Sequence, residues 1–108
     1  MFAYQTDSIG YAALYANDSE TGTAYISLIA VKPEYQNLHI GKRLLRRCFE
    51  IAQLYGMRSC SLEVKKSNFR AIEFYRANGF VFLNERKDSF LMQRNLISQE
   101  GKTYEYQR

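Results

Sequence analysis

The sequence predicts an α/β (α+β) fold, in which a mixed, mostly antiparallel central sheet contains one β-α-β crossover and carries two main helices. Apolar and aromatic runs typical of strands occupy the first third of the chain and residues 80–96. Between them, two segments have helical periodicity, and each ends at a glycine. A further strand-like run separates the two helices, which is the order of a crossover unit. Sheets of this kind commonly have antiparallel ends and a parallel centre.

The first part of the chain predicts an antiparallel hairpin. Residues 9–17 and 23–31 are rich in apolar and aromatic side chains, and the five residues between them are typical of turns. The end of the 23–31 run is nearly continuously apolar, which predicts burial on both faces. One more strand is predicted at residues 2–6.

The first helix is predicted over residues 41–55. Its apolar side chains follow one stripe, while charged and amide side chains occupy the other face. The predicted stripe consists of Leu44, Cys48, Ile51, Ala52 and Tyr55. Gly56 is placed where a glycine commonly ends a helix.

The second half of the chain predicts a strand, a helix and a closing pair of strands. Asn68 is a good N-cap for the helix, and Gly79 ends it. The predicted bounds are 59–65 for the strand, 69–78 for the helix, and 80–85 and 89–96 for the final strands. We therefore expect one domain over residues 1–96 and a loosely ordered polar tail over residues 97–108.

Composition narrows the classes of function. The 108 residues suit one domain, and 46% hydrophobic side chains provide enough material for a packed core. No apolar run approaches about 20 residues, and the first residues lack a signal-peptide pattern, so we expect a cytoplasmic protein without a membrane partner. The net charge of +4 favours anionic partners, which leaves both nucleic acid and a phosphate-bearing cofactor open. Cys48 and Cys60 are predicted to be reduced core thiols, with a catalytic thiol as the alternative; no metal site is predicted.

The segment from Val31 to Leu45 carries the strongest chemical signal. An apolar strand ends there, a short loop follows, and a helix begins at about Gly41. The first N–H groups of a helix lack internal partners, and the helix dipole adds partial positive charge, so this geometry suits phosphate. Lys42 and Arg43 oppose the usual acidic preference of a first helical turn, which makes sense if an anion is bound there. An ordinary strand–helix connection remains the alternative.

This loop resembles the pyrophosphate-binding loop of GNAT N-acetyltransferases, whose pattern is Q/R-x-x-G-x-G/A. The matching residues are Gln36, Asn37, Leu38, His39, Ile40 and Gly41. His39 stands where the family usually has its first glycine. Histidine is among the non-glycine residues enriched at positive φ, so the departure is tolerable there.

A second motif resembles the same family. The family pattern N-x-x-A-x-x-x-Y-x-x-x-G-F is matched in register by Asn68, Ala71, Tyr75, Gly79 and Phe80. The preceding L-E-V at residues 62–64 is similar to the amino-terminal ribosomal-protein acetylases of the family. The resemblance runs from about Ile9 to Leu96.

The resemblance implies an acetyl-CoA-dependent enzyme that transfers an acetyl group directly to a primary amine. Tyr75 stands at the position of the general acid, and Glu63 is the candidate base, with its side chain facing either the cleft or solvent. Backbone N–H groups near residues 29–31 would stabilise the oxyanion. The residues that the resemblance assigns to the cofactor are Ile29, Ala30, Val31, Gln36, Asn37, Leu38, His39, Ile40, Gly41, Lys42, Arg43, Asn68, Ala71, Phe74 and Tyr75.

The resemblance also leaves questions open. A full GNAT domain usually begins with a strand and two helices, whereas about eight residues precede the hairpin here. A shortened gene product or fragment, a homodimer that supplies the missing wall, and a non-catalytic CoA-binding or regulatory module are all compatible with this start. The acceptor is a small-molecule or peptide amine that the sequence does not identify. A small basic nucleic-acid-binding domain is the rival class, but the aromatic side chains lie mostly on apolar stripes.

Overall fold

The computed structural model describes residues 2–6, 10–16, 20–35 and 39–96. The elements are β1 (Phe2–Thr6), β2 (Gly10–Tyr15), β3 (Thr23–Val31), a 3-10 turn (Pro33–Tyr35), α1 (Ile40–Leu54), β4 (Ser59–Lys65), α2 (Phe69–Ala77), β5 (Val81–Glu85) and β6 (Ser89–Asn95). These bounds agree with the sequence predictions to within one or two residues. The predicted tail at residues 97–108 lies outside the described residues. No helix among the described residues is long and apolar enough to cross a membrane.

The strands form one mixed sheet in the order β1-β2-β3-β4-β6-β5. Among the described strands, only β3 and β4 pair in parallel, and α1 makes the crossover between them. The other neighbouring pairs are antiparallel. The predicted fold class, including the crossover and the two main helices, is therefore confirmed.

A β-bulge divides β3 into two halves. Leu14 of β2 pairs with Ile26, whereas the preceding Ala13 pairs with Leu28, so Ser27 is the extra residue. Because side chains alternate along a strand, one extra residue reverses which face each later side chain occupies. Ile29 lies opposite Ala12 and therefore shares the face of Ile26, which an unbulged strand would not allow.

Both helices pack against that same face of the sheet. The core joins side chains of β2, β3 and β4 with the buried stripe of α1, and α2 adds half-buried residues at its edge. The buried residues of α1 are Ile40, Leu44, Leu45, Cys48 and Ala52. The prediction of Tyr55 as part of the stripe was wrong: the helix ends at Leu54, and Tyr55 is half exposed as the C-cap residue.

The opposite face of the sheet, here called the open face, carries Tyr15, Tyr25 and Leu28. Tyr15 and Tyr25 are direct cross-strand partners, and all three side chains are exposed. The prediction that the end of β3 is buried on both faces was therefore wrong. The physical reason is that both described helices pack on the other side, so no described element covers Leu28.

Two glycines reverse the chain after the helices. Gly56 follows α1 with φ 81°, and Gly79 follows α2 with φ 94°. Both angles lie in the region that glycine adopts without the steric penalty of a Cβ. Their surroundings differ, because a Cβ on Gly56 would meet nothing within 4 Å, whereas a Cβ on Gly79 would lie 2.6 Å from Nε of Arg94. Arg94 is itself stacked on Phe49, with its guanidinium 4.5 Å from the ring centroid.

This difference allows a matched test of the packing around α2. We expect Gly56→Ala to lower the free energy of unfolding by about 1 kcal/mol, which is the cost of a left-handed backbone alone. We expect Gly79→Ala to lower it by about 2–4 kcal/mol, because Arg94 must also move away from Phe49. Urea denaturation followed by circular dichroism measures both values. Equal losses in the two variants would show that Arg94 is not fixed against Gly79.

Candidate cofactor pocket

The pocket begins where β3 and β4 separate. The parallel ladder runs from the pair Thr23–Ser59 to the pair Ile26–Leu62 and then ends. Beyond this point β3 continues along β2 as far as Val31, and β4 continues along β6. The two central strands therefore diverge and leave a wedge between them. An extended ligand can enter such a wedge and form hydrogen bonds with the strand edges, as an added strand does.

A cavity of about 700 Å³ lies at the helical side of this wedge. Its walls come from the end of β3, the start of α1 and one side of α2. The lining residues are Ile29, Val31, His39, Gly41, Lys42, Asn68, Arg70, Ala71, Phe74, Tyr75, Ala77 and Asn78. This volume suits a ligand of the size of a nucleotide cofactor. The lining contains two basic side chains, Lys42 and Arg70, and no acidic one.

The start of α1 forms one end of the pocket, and a helix N-terminus has the geometry and dipole that suit an anion. His39 is the N-cap residue with φ 61° and ψ 21°, and its side chain makes no capping hydrogen bond. It is the one non-glycine residue with positive φ among the described residues. This conformation is the one that the family glycine would supply, so the structure explains how histidine is accommodated here. The first free N–H groups of α1 and its positive dipole end lie at this side of the pocket.

Gly41 allows α2 to approach the start of α1 closely. A Cβ built on Gly41 would lie 3.5 Å from the outermost ring carbon of Phe74, which is ordinary van der Waals contact with no room for a larger side chain. The two helices therefore face each other across the pocket at this point. A small residue at position 41 and an aromatic one at position 74 set the width of the pocket.

Asn68 fixes the start of α2. Its side-chain oxygen accepts a hydrogen bond from the N–H of Ala71 at 3.2 Å, so the predicted N-cap is confirmed. The packing of α2 against the core orients the helix, and Ala71, Phe74 and Tyr75 line the pocket. The small side chain of Ala71 leaves room for a ligand against the helix.

Tyr75 is held among aromatic rings at the inner end of the pocket. Its ring lies 5.4 Å from that of Phe74 and 5.6 Å from that of Phe80, centroid to centroid. Burial raises the pKa of the Tyr75 phenol above its ordinary value, and the neighbouring Cys48 adds to the increase. The phenol therefore keeps its proton through the neutral range and is available as a proton donor.

The two cysteines are buried thiols in the core. Burial raises the pKa of Cys48 to about 11 and that of Cys60 to about 12. A nucleophilic cysteine needs access and a lowered pKa, whereas both thiols are buried in the core and neither lines the pocket, which argues against the catalytic-thiol alternative. Because both values are raised, the stability linked to these thiols is complete below about pH 9 and is lost as the pH rises toward 11 and 12.

Glu63 lies outside the pocket lining. It alternates with the buried Leu62 and Val64, so its side chain is on the open face. Its carboxylate accepts a hydrogen bond from the Ser89 hydroxyl and lies 3.6 Å from the guanidinium of Arg86. In sequence it is the first residue of β4 after the ladder with β3 ends. The structure therefore places Glu63 beside the wedge but on the opposite side from Tyr75.

The structure brings together most, but not all, of the residues that the sequence assigned to the cofactor. Ala30, Ile40 and Arg43 do not line the cavity: Ala30 alternates to the open face, Ile40 is buried in the core, and Arg43 is exposed. Residues 36–38 lie outside the described residues. The bulge of β3 falls at Ser27, before the 29–31 segment in which the oxyanion donors were predicted.

Three lining residues were missed by the sequence analysis, namely Arg70, Ala77 and Asn78. Arg70 and Ala77 stand four residues before and three residues after Phe74. Residues at these spacings share one side of a helix. Extending the helical spacing from Phe74 in both directions would have found them.

A family model described as the acetyltransferase (GNAT) family matches residues 2–80 of the chain. The chain belongs to the GNAT acetyltransferase family. The match covers β2 and β3, the whole of α1 and the whole of α2, which are the elements that form the pocket.

Individual relatives support the same assignment. Spermidine N(1)-acetyltransferase of Thermoplasma acidophilum is 33% identical over 92 residues, which are 83% of this chain and 54% of that protein. The crystal structure of PaiA N-acetyltransferase from Thermoplasma acidophilum in complex with coenzyme A has a TM-score of 0.75 and 30% identity, covering 84% of this chain and 57% of that one. The ribosomal-protein-S18-alanine N-acetyltransferase from Escherichia coli has a TM-score of 0.71 and 25% identity, covering 85% and 64%. The chain thus spans between about half and two thirds of the length of these relatives.

The strain at His39 can be tested directly. Glycine adopts the observed backbone angles without a Cβ penalty, so we expect His39→Gly to raise the free energy of unfolding by about 0.5–1 kcal/mol. Alanine tolerates positive φ less well than histidine, so we expect His39→Ala to lower it. Chemical denaturation of the two variants and of the wild type ranks their free energies of unfolding. A His39→Gly variant that is less stable than His39→Ala would contradict the left-handed conformation at this position.

Proposed function

We propose that the chain binds acetyl-CoA in the pocket and transfers the acetyl group to a primary amine. The observation that supports this most strongly is the coincidence of three features at one cavity. The central strands part there, the N-terminus of α1 lies at one end of it, and the half-buried phenol of Tyr75, whose pKa is raised, lines it. Membership of the GNAT family makes this chemistry the expected one.

The pocket offers a position for each part of the cofactor. The N–H groups at the start of α1 would hold the pyrophosphate. The wedge beyond Ile26 and Leu62 would take the extended pantetheine arm, with Ala71 leaving room beside it. Backbone N–H groups near residues 29–31 would donate hydrogen bonds to the acetyl carbonyl oxygen. Acetyl-CoA would supply an acetyl thioester, whose acetyl group passes to the amine as CoA leaves.

Tyr75 would donate the proton that the departing sulfur takes up. Its raised pKa keeps the hydroxyl protonated at neutral pH, and donation to a developing thiolate at close range needs no metal or second acid. The aromatic contacts with Phe74 and Phe80 fix the direction of the ring. The phenol is therefore oriented by packing.

The amine would approach through the wedge from the open face. A neutral amine is required for attack, and Glu63 is the proposed acceptor of its proton. This role agrees with the position of Glu63 beside the wedge, on the side opposite to the cofactor. The hydrogen bond from Ser89 and the charge of Arg86 would hold the carboxylate in place.

The proposal also covers the acceptor, the oligomeric state and the location of the protein. Spermidine and a peptide that begins with alanine are the first acceptors to test, because relatives are named for these substrates. A homodimer is supported by the exposed Tyr15, Tyr25 and Leu28 on the open face, which a second copy would cover. A cytoplasmic location stays a prediction from the sequence.

One observation favours a second candidate, which is a CoA-binding or regulatory module without transferase activity. No described element covers the open face, so the described residues build no wall for the acceptor beside Glu63. Isothermal titration of CoA combined with a thiol-release assay distinguishes the two candidates. Binding of CoA without thiol release from acetyl-CoA, over a broad panel of amines, would support the module.

The role of Tyr75 provides the direct test of catalysis. We expect Tyr75→Phe to lower kcat by about 100-fold or more, because a positioned general acid contributes about that much, while affinity for CoA changes little. The rate of thiol release from acetyl-CoA measures this over a range of pH. Tyr55→Phe, which removes the hydroxyl of a half-exposed residue outside the pocket lining, is the matched control. Full activity of Tyr75→Phe at every pH would exclude Tyr75 as the acid.

A further inference from the structure

The pocket carries more positive charge than a pyrophosphate at a helix N-terminus requires. Lys42 comes from the first turn of α1, and Arg70 comes from the first turn of α2, on the opposite wall. No ion pair among the described residues involves either side chain. A pocket with two cations and no acidic side chain is suited to an additional anionic group.

The position of Arg70 follows from the geometry of α2. Arg70, Phe74 and Ala77 lie on one side of the helix, and the packing of Phe74 against the core turns that side toward the pocket. Phe74 touches the start of α1 at Gly41 and is half buried, whereas Arg70, one turn earlier, is exposed. The guanidinium is thus tethered at the outer part of the pocket, on the side where α1 begins.

CoA has one anionic group that the backbone N–H groups of α1 would not neutralise. Its pyrophosphate would be held at the helix N-terminus, and the remaining group is the phosphate on the 3′ oxygen of the ribose. A phosphate monoester has a charge between about −1.5 and −2 at neutral pH. A guanidinium binds such a group through two parallel hydrogen bonds, and an ammonium on the opposite wall adds a second charge.

We propose that Arg70, assisted by Lys42, binds the 3′-phosphate of CoA and makes the chain select CoA over dephospho-CoA. This inference rests on the proposed function, because it assumes that the pyrophosphate lies at the start of α1. It assigns a specificity role to a residue that neither of the two family motifs specifies. Arg70 falls at a variable position of the N-x-x-A pattern.

The test compares CoA with dephospho-CoA by isothermal titration at low salt. We expect the wild type to bind CoA about 5- to 20-fold more tightly than dephospho-CoA, which is the range for a charged hydrogen bond at a partly exposed site. We expect Arg70→Gln to remove most of this preference by weakening CoA alone. Lys42→Gln should reduce the preference, and Arg70→Lys should retain part of it.

Arg46→Gln is the matched control, because it removes an equal charge from an exposed position of α1 outside the pocket. We expect it to change neither affinity by more than about twofold. Equal affinities of the wild type for the two nucleotides would overturn the proposal. So would an Arg70→Gln variant that loses affinity for both nucleotides alike, since Arg70 would then contact the pyrophosphate or shape the pocket. Failure of the wild type to bind either nucleotide would instead overturn the proposed function.

Discussion

The separation of β3 from β4 is the constraint on which the pocket depends. Up to Ile26 and Leu62 the backbone N–H and C=O groups of the two strands are paired in a parallel ladder. Beyond those residues the strands diverge. A sheet normally pairs the backbone polar groups of a central strand on both sides, because leaving them unpaired and buried is costly. An opening at the centre of a sheet is therefore stable only where water or a ligand can reach the strand edges. The pocket is found at that opening.

The bulge at Ser27 determines which side chains border the opening. By reversing the alternation of β3, it turns Ile29 and Val31 toward the helices and leaves Leu28 on the open face. Bulges commonly lie beside functional sites because they redirect side chains without ending the strand. The hydrogen bond from Ser27 Oγ to the carbonyl of Ala13, at 3.5 Å, is a weak contact at the same place. The register of β3 with β2 therefore determines which β3 side chains, Ile29 and Val31, line the pocket.

Local sequence signals were sufficient for most of the fold. The ends of the helices follow from Gly56, Asn68 and Gly79, whose conformational roles are short-range and can be identified without tertiary information. The tolerance of His39 for a left-handed backbone was also predictable from its residue type, and the structure confirms the conformation.

The remaining features depend on long-range pairing. Nothing in the residues of β3 marks Ser27 as the bulge, because its position depends on how β2 pairs with β3. The exposure of Leu28 depends on which face the helices cover, and the apolar run alone does not encode that choice. Arg70 stands at a variable position of the family motif, so the motif does not indicate it, whereas its helical spacing from Phe74 does. Glu63 was correctly placed opposite Leu62 and Val64, but its contacts with Ser89 and Arg86 required the pairing of β4 with β6.

The central claim is that CoA occupies the cavity between the end of β3, the start of α1 and α2. Titration of the ¹⁵N-labelled chain with CoA, followed by amide chemical shifts, tests it most directly. The account predicts saturable shifts at Ile29, Val31, residues 39–42 and residues 68–78, with little change at Tyr15 or Tyr25 on the open face. The absence of saturable shifts, or shifts concentrated on the open face, would contradict it.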